Sequence, residues 1–348
     1  MAIRIRPVDL DADQGELLAT LDRNLPDLDH ARRFKWMYRD SPLGPAWSWF
    51  AYDPESGRVV GVASVFRRAL WIAGRVEMCG QVGDFGIDVS HRSLGPAVML
   101  QRATFGPVEE GTLALCYDCP PDARGMSTFH RLGMKATTRT GRHARLLRVD
   151  RELGKRLGSG PVVGWIAPIG NLLLSLGRGR GTRLRDVAVA RLEGRFGDEF
   201  TKLDERLAAA GSVRGRRAAM DLNWQYRDDP IHEYTVLTVR RRETLIGFAV
   251  VTVRGRDAFV VDMFGALDVG GARALLAMVS RSCAAAGAEV VYVVASEENP
   301  LTGLLKAAGF RPRSEGPRVV PYATAGGRFG GVLGSGVRWD LTEGELMA

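Results

Sequence analysis

The sequence predicts an α/β protein of the α+β type: two tandem domains, each a mixed, mostly antiparallel sheet flanked by helices. Three observations carry this expectation. The segment Trp36-Met37-Tyr38-Arg39-Asp40-Ser41-Pro42 reappears as Trp224-Gln225-Tyr226-Arg227-Asp228-Asp229-Pro230, 188 residues further on. Extended and helical stretches follow each copy in the same order. The 348 residues suffice for two domains, each with its own core.

The elements can be read in chain order. Ile3 to Arg6 before a helix from about Asp13 corresponds to Leu184 to Val189 before a helix from about Asp198. After the first Trp-x-Tyr segment, Trp47 to Tyr52, the turn Asp53 to Gly57 and Val59 to Phe66 make a β-hairpin rich in β-branched and aromatic residues. The second copy answers with Glu233 to Val239, the charged turn Arg240 to Thr244, and Leu245 to Val251.

Each copy then gives an extended run containing an aspartate, Val82 to Val89 with Asp84 and Phe259 to Phe264 with Asp262. Apolar residues at helical spacing follow in Pro96 to Ala103 and in Ala272 to Val279. Short buried-type strands come next, Leu113 to Tyr117 and Val290 to Val294. A helix then ends at Gly133 in one copy and at Gly309 in the other, where glycine can take the left-handed conformation of a helix stop.

These correspondences divide the chain into 1–150, a linker 151–182 and 183–348. The linker holds the apolar run Pro161 to Leu174, read as a short connecting helix, and the basic turn Gly177 to Gly181. A membrane span would need about 20 apolar residues without such interruption. No leader with a basic start, an apolar core and a cleavage site opens the sequence, so a cytoplasmic location is expected.

Composition narrows the partners. The net charge is +8, yet only five of the 48 basic residues are lysine and the arginines are scattered. The densest runs, Arg214 to Arg217 and Arg240 to Arg242, fall in predicted loops or turns and lack the interleaved aromatics of a base-stacking surface. Nucleic acid is therefore not the expected partner. Cys116 and Cys119 form a single pair followed by Pro120 and Pro121, whereas a zinc site needs a second pair and a redox pair needs a helix start. Reduced cysteines and no metal are expected.

The segment with the most chemistry runs from Ile87 through Arg92 and Gly95 to Ala97. It leads from a strand into a helix through a turn with one glycine. A helix start offers unpaired N–H groups and the positive end of its dipole, which together suit a diphosphate. Arg92 adds a fixed charge, and Pro96 fits the first helical position, where its missing N–H is not used.

With the order of elements around it, this loop resembles the GNAT superfamily of acyl-coenzyme A-dependent N-acyltransferases. The family signature Arg/Gln-x-x-Gly-x-Gly/Ala is met by Arg92-Ser93-Leu94-Gly95-Pro96-Ala97. Phe129 to Met134 is a near match to the family's aromatic-x-x-x-Gly-aromatic helix ending, and Leu305 to Phe310 keeps that ending in the second copy. The resemblance covers both halves, best from Asp84 to Met134.

The resemblance implies acetyl-coenzyme A or another acyl-coenzyme A as co-substrate and direct acyl transfer to a primary amine. It implies that the backbone of Phe85, Gly86 and Ile87 holds the pantetheine amides. The amides of Arg92, Ser93, Leu94, Gly95 and Ala97 would hold the pyrophosphate, with Pro96 removing one amide at the variable position. The second copy has Gly270 where Arg92 stands and Arg273 where Gly95 stands, and it presents Asp268 to the place of a diphosphate. It reads as a degenerate copy that walls the acceptor cleft or mediates homodimerisation.

An attacking amine must lose a proton, so a carboxylate or similar base is sought near the splayed strands. Asp84 is one candidate. Because Asp262 occupies the same place in the degenerate copy, Asp84 is equally read as a residue that satisfies backbone groups. Many relatives donate a proton to the leaving thiolate from a tyrosine, at a position that is Phe129 here. Tyr117 and Asp118, at the end of the next strand, are the alternative proton donors and acceptors, weighed against strand packing and turn formation. The duplicated Trp-x-Tyr-Arg-Asp segment reads as a packing device in which the arginine and aspartate close a turn, or as part of the acceptor site.

The expected acceptor is a small or peptide-like amine. Two other readings remain open from sequence. One is a non-catalytic acyl-coenzyme A or partner-binding protein, suggested by Phe129. The other is an aminoacyl transferase that uses charged tRNA to build cell-wall peptides, a class without the diphosphate loop.

Overall fold

A computed structural model describes residues 3–92, 94–148, 186–208, 212–331 and 337–346. The linker helix and basic turn expected at 151–182, and Ser93, lie outside the described residues.

The first half begins with β1 (Arg4–Pro7), α1 (Gln14–Asn24) and α2 (His30–Phe34), which continues into a π-helical turn at Lys35–Arg39. Strands β2 (Trp47–Tyr52), β3 (Val59–Ile72) and β4 (Arg75–Ile87) form an antiparallel meander. A short 3-10 turn then leads to α3 (Leu94–Ala103), α4 (Gly106–Glu109), β5 (Cys116–Asp118), α5 (Ala123–Arg131) and β6 (Thr138–Leu146).

The second half repeats the order. It contains β7 (Val187–Arg191), α6 (Asp198–Arg206), β8 (Ser212–Gly215), α7 (Ala219–Tyr226), β9 (Thr235–Arg241), β10 (Thr244–Arg254) and β11 (Asp257–Gly265). After these come α8 (Val269–Ala285), β12 (Val290–Ser296), α9 (Leu301–Ala307), β13 (Arg311–Tyr322), β14 (Arg338–Trp339) and α10 (Glu343–Leu346). The expected glycine stops are present: Gly133 follows α5 at φ 73° and Gly309 follows α9 at φ 85°. A residue with a Cβ would be strained at either position.

The halves do not close separately. Strand β13 of the second half lies between β5 and β6, while β6 of the first half pairs with β12 of the second. Each half thus lends a strand, β6 or β13, to the other, and one 14-stranded sheet runs through both. Val319 and Val320 of β13 are buried with Tyr117, Phe105 and Phe129 of the first half. Burying those side chains contributes roughly 1.5–3 kcal/mol each, so the exchange is part of the core.

Three local expectations are corrected. The arginine and aspartate of the repeated segment do not pair with each other. Arg39 reaches the Leu10 carbonyl and Asp11, and Arg227 reaches the carbonyls of Tyr234 and Leu192. Strand β5 starts at Cys116, later than Leu113, because Leu113 and Leu115 belong to the packed turn that enters it. The run Arg214 to Arg217 is not a basic loop. Arg214 and Arg217 are buried and bound to Asp204, Asp262 and Glu345, and Arg216 pairs with Asp221 at 2.7 Å. Local charge density suggested a solvated turn, but Asp204 and Asp221 on the neighbouring helices and the distant Asp262 and Glu345 supply counter-charges.

Candidate active site where two parallel strands part

Strands β4 and β5 pair in parallel only at Gly80 with Cys116 and Gln81 with Tyr117. Beyond that point β4 runs on to Ile87 while β5 ends at Asp118, so the upper part of β4 keeps only its β3 edge. A bulge interrupts that edge. Val62 faces Gly86 and Ser64 faces Gly83, which leaves Asp84 and Phe85 together opposite one residue of β3.

Asp84 sits in this bulge with φ 47°, a left-handed backbone. Its carboxylate is buried and accepts hydrogen bonds from Arg33 Nη1 at 2.8 and 3.0 Å and from the Tyr38 hydroxyl at 2.5 Å. Burial and the adjacent Asp84 charge push the Tyr38 hydroxyl well above its ordinary pKa, so it remains a donor. Phe85 is half-buried, while Gly86 and Ile87 are buried. A Cβ on Gly86 would strike the Asn24 side chain, so only glycine lets α1 lie this close to the strand.

The loop after β4 is braced from below. Asp88 accepts from Asn24 Nδ2 at 3.0 Å and Arg58 Nη2 at 3.0 Å, with Arg23 at 3.5 Å. Burial raises the Asp88 pKa, but these partners lower it more, and it lies below the usual carboxylate value. Arg92 is exposed, and its Nε donates to the Ile87 carbonyl at 3.1 Å, which pins it over the end of β4. Leu94 opens α3. Gly95 is exposed with open space where a Cβ would stand, Pro96 is buried, and Ala97 packs half-buried against the sheet. The start of α3 therefore faces free volume.

At the end of β5 the two candidates part company. Tyr117 is buried beside Trp339, and its hydroxyl donates to the Glu345 carbonyl at 2.9 Å. Burial raises its pKa well above the ordinary value. Asp118 is half-buried, and burial pushes its carboxyl up to about 7, against an opposing hydrogen bond from the Cys119 backbone. That value suits a group exchanging protons near neutrality. Phe129 is buried with Met126 and Val320.

The second half handles the same places differently. Strands β11 and β12 also pair in parallel and then diverge, but the C-terminal segment occupies the gap. Thr342 bridges to Ala295 and donates to Asp262 at 3.1 Å. Arg217 binds both Asp262 at 2.9 Å and Glu345 at 2.5 Å. The start of α8 is satisfied by its own chain: Asp268 accepts from the Gly271 N–H at 2.7 Å and pairs with Arg241 at 2.6 Å. An anionic ligand there would meet a carboxylate.

Between the halves lies a cavity of about 180 Å³, lined by Arg33 and Trp36 from one side and Trp224, Asp229, His232 and Tyr234 from the other. Asp229 accepts from His232 Nδ1 at 3.0 Å and the Tyr234 hydroxyl at 2.9 Å. Arg33 and Glu345 had no signal in the sequence, and Tyr38 was marked only by the repeat and not as a partner of Asp84, since these roles depend on contacts made across long separations. Asp88 was more accessible to inspection, as a carboxylate directly before the loop. Among the described residues no cluster of three His, Cys, Asp or Glu could hold a metal, and no helix is long and apolar enough to cross a membrane.

No family model matches the chain, and no curated protein matches it in sequence. Solved structures do match. A GCN5-related N-acetyltransferase from Anabaena variabilis aligns with TM-score 0.65 and 12% identity, over 92% of this chain and 72% of the other. A probable N-acyltransferase from Enterococcus faecalis gives TM-score 0.66 and 10% identity, over 93% and 73%. Saccharomyces cerevisiae N-myristoyltransferase, solved with bound myristoyl-coenzyme A, gives 0.60 and 11%, over 92% and 80%. The architecture is thus that of the N-acyltransferases, a mixed, mostly antiparallel sheet flanked by helices. More particularly, the fold is the one shared by these GCN5-related N-acetyltransferase and N-myristoyltransferase structures.

Proposed function

We propose that the protein is an acyl-coenzyme A-dependent N-acyltransferase with one cofactor site, in the domain formed by 1–150. The observation that carries this reading is the open parting of β4 from β5 leading to an open helix start, set against a filled and self-capped counterpart in the second half. The backbone of Phe85, Gly86 and Ile87 would hold the pantetheine. The amides of Arg92, Ser93, Leu94, Gly95 and Ala97 would hold the pyrophosphate beside the Arg92 guanidinium. Acetyl-coenzyme A is the first co-substrate to try.

In this reading the acceptor amine enters from the cavity between the halves, which the second domain walls with Trp224, Asp229, His232 and Tyr234. The Asp118 carboxylate takes a proton from the ammonium. The freed nitrogen attacks the thioester carbonyl, the C–S bond breaks with its electron pair leaving on the thiolate, and the second proton of the nitrogen passes through water to that thiolate. Asp84 is bound to Arg33 and Tyr38 and Tyr117 to the Glu345 carbonyl, so neither is free to exchange protons.

One observation favours binding without turnover: a phenylalanine, Phe129, stands where many relatives donate a proton from tyrosine, and the Tyr117 hydroxyl is engaged elsewhere. The tRNA-dependent reading loses support, since two arginines of the densest basic run are buried in ion pairs.

Calorimetric titration of acetyl-coenzyme A into the wild type and Gly95→Trp tests the proposal. The new side chain projects into open space at the helix start, so the fold should tolerate it. One equivalent bound by the wild type and none by the variant supports the single site, and an amine screen then separates turnover from binding. No binding by the wild type sinks the reading.

A further inference from the structure

Four non-glycine residues have positive φ among the described residues: Ala73, Asp84, Asp186 and Arg242. Asp84 alone among them is a buried strand residue of the parted β4. Its counterpart Asp262 carries the same kind of arginine partnership, through Arg217, but has no left-handed backbone. The carboxylate–arginine pair is therefore common to both halves, whereas the strained backbone belongs only to the half whose cleft is open. Strain held by surrounding contacts at one copy and absent from the other points from geometry to a role.

We infer that Asp84 is a positioning residue for the acyl-coenzyme A proposed above: clamped by Arg33 and Tyr38 in the left-handed conformation, it sets which backbone groups of Phe85, Gly86 and Ile87 face the cleft. Consecutive strand residues offer their N–H and C=O groups to opposite edges, so the extra residue of a bulge shifts that alternation by one downstream. The bulge at Asp84 fixes the phase of the part of β4 that has no β5 partner. Aspartate tolerates the left-handed region better than most residues, and three charge-assisted hydrogen bonds keep it there. Because Arg33 also lines the cavity between the halves, the same guanidinium touches the acceptor side and braces the cofactor side.

The inference rests on the acyltransferase reading, and substitution of Asp84 separates the two. Asp84→Gly loses the carboxylate but keeps free access to φ 47°, whereas Asp84→Ala loses both. Both leave Arg33 without its partner, so their difference isolates the backbone. Calorimetry with acetyl-coenzyme A should show Asp84→Ala binding on the order of tenfold more weakly than Asp84→Gly, the strain expected of a left-handed residue with a Cβ. If turnover is found, the pH profile of Asp84→Gly should keep the wild-type limb, since no proton passes through Asp84.

Equal affinities of the two variants, with the wild type binding, overturn the inference and leave the acyltransferase reading intact. A lost pH limb overturns it in favour of a catalytic Asp84. No binding by the wild type overturns both. Should the unpaired Arg33 prevent folding, the same two variants made with Arg33→Met give the same comparison, and a melting curve confirms that each is folded.

Discussion

Trp36 and Trp224 donate their indole N–H groups to each other's backbone carbonyl, at 2.8 and 3.2 Å, with ring centroids 5.3 Å apart. The two copies of the repeated segment thus meet each other across the join. A pair of similar segments that face each other can satisfy one another reciprocally, as symmetric interfaces do. The same relation governs the strand exchange of β6 and β13. The duplication is in this sense a join between domains as well as a packing device within each.

Replacing either tryptophan by phenylalanine keeps most of the apolar contact and removes one donor. Trp36→Phe and Trp224→Phe should each cost about 1 kcal/mol in urea unfolding, with the free carbonyl adding to the loss where water cannot reach it. The double variant should show a coupling of about 0.5–1.5 kcal/mol from the ring contact. Additive losses would mean the rings do not support each other.

The exchanged strand makes the first half dependent on the second. A fragment of residues 1–148 lacks β13 and with it Val319 and Val320 from two of its cores. It should show no cooperative thermal transition, and a synthetic 309–323 peptide should restore one. A fragment that melts cooperatively alone would show that β5 and β6 can close without the guest strand.

Arg217 is the shared partner of Asp262 and Glu345 in the buried seam next to the C-terminal segment. Arg217→Met should destabilise the protein by about 3–5 kcal/mol, because two carboxylates lose their buried counter-charge. The exposed pair Arg195–Asp228, at 2.7 Å, is the contrast: Arg195→Met should cost no more than about 1 kcal/mol in the same assay.

The pH dependence follows from Asp118. Burial raises its pKa from the ordinary carboxylate value to about 7 in the folded chain. Between those values the folded protein holds a proton that the unfolded chain has released. The stability this provides is present at low pH and is lost as pH rises through about 7. Asp118→Asn removes the titration, so its melting temperature should gain on the wild type from about pH 5 to about pH 8. If Asp118 is the base, the same variant should lose about 10²–10⁴-fold in kcat and the pH limb near 7. A limb that survives the substitution would move the base elsewhere.

Much of the fold was legible before any coordinates. The hairpins follow from alternating β-branched and aromatic residues, and the helix ends follow from Gly133 and Gly309. The turn between β4 and α3 follows from Arg92 and Gly95, although α3 starts at Leu94 and not at Pro96. These are local signals, decided by residues a few positions apart, and the structure has strand, turn and helix where they point. Arg214 to Arg217 marks the limit of such local signals, because charge density says nothing of partners such as Asp262 and Glu345, far along the chain.

The sequence by itself displayed the repeated seven-residue segment, the order of the strands and helices around it, and Arg92 and Gly95 at one helix start where the other has Asp268 and Arg273. Only the tertiary structure decided that each copy completes the other's sheet and that Asp84 is engaged by Arg33 and Tyr38. It also decided that Tyr117 faces a carbonyl while Asp118 stands near neutrality, and that the chain's own C-terminal segment fills the second cleft. Secondary structure responds to spacing along the chain, which the sequence displays. Burial, counter-charge and strand partnership depend on which distant segments meet in space, and burial or counter-charge moves a carboxyl's pKa and commits a side chain.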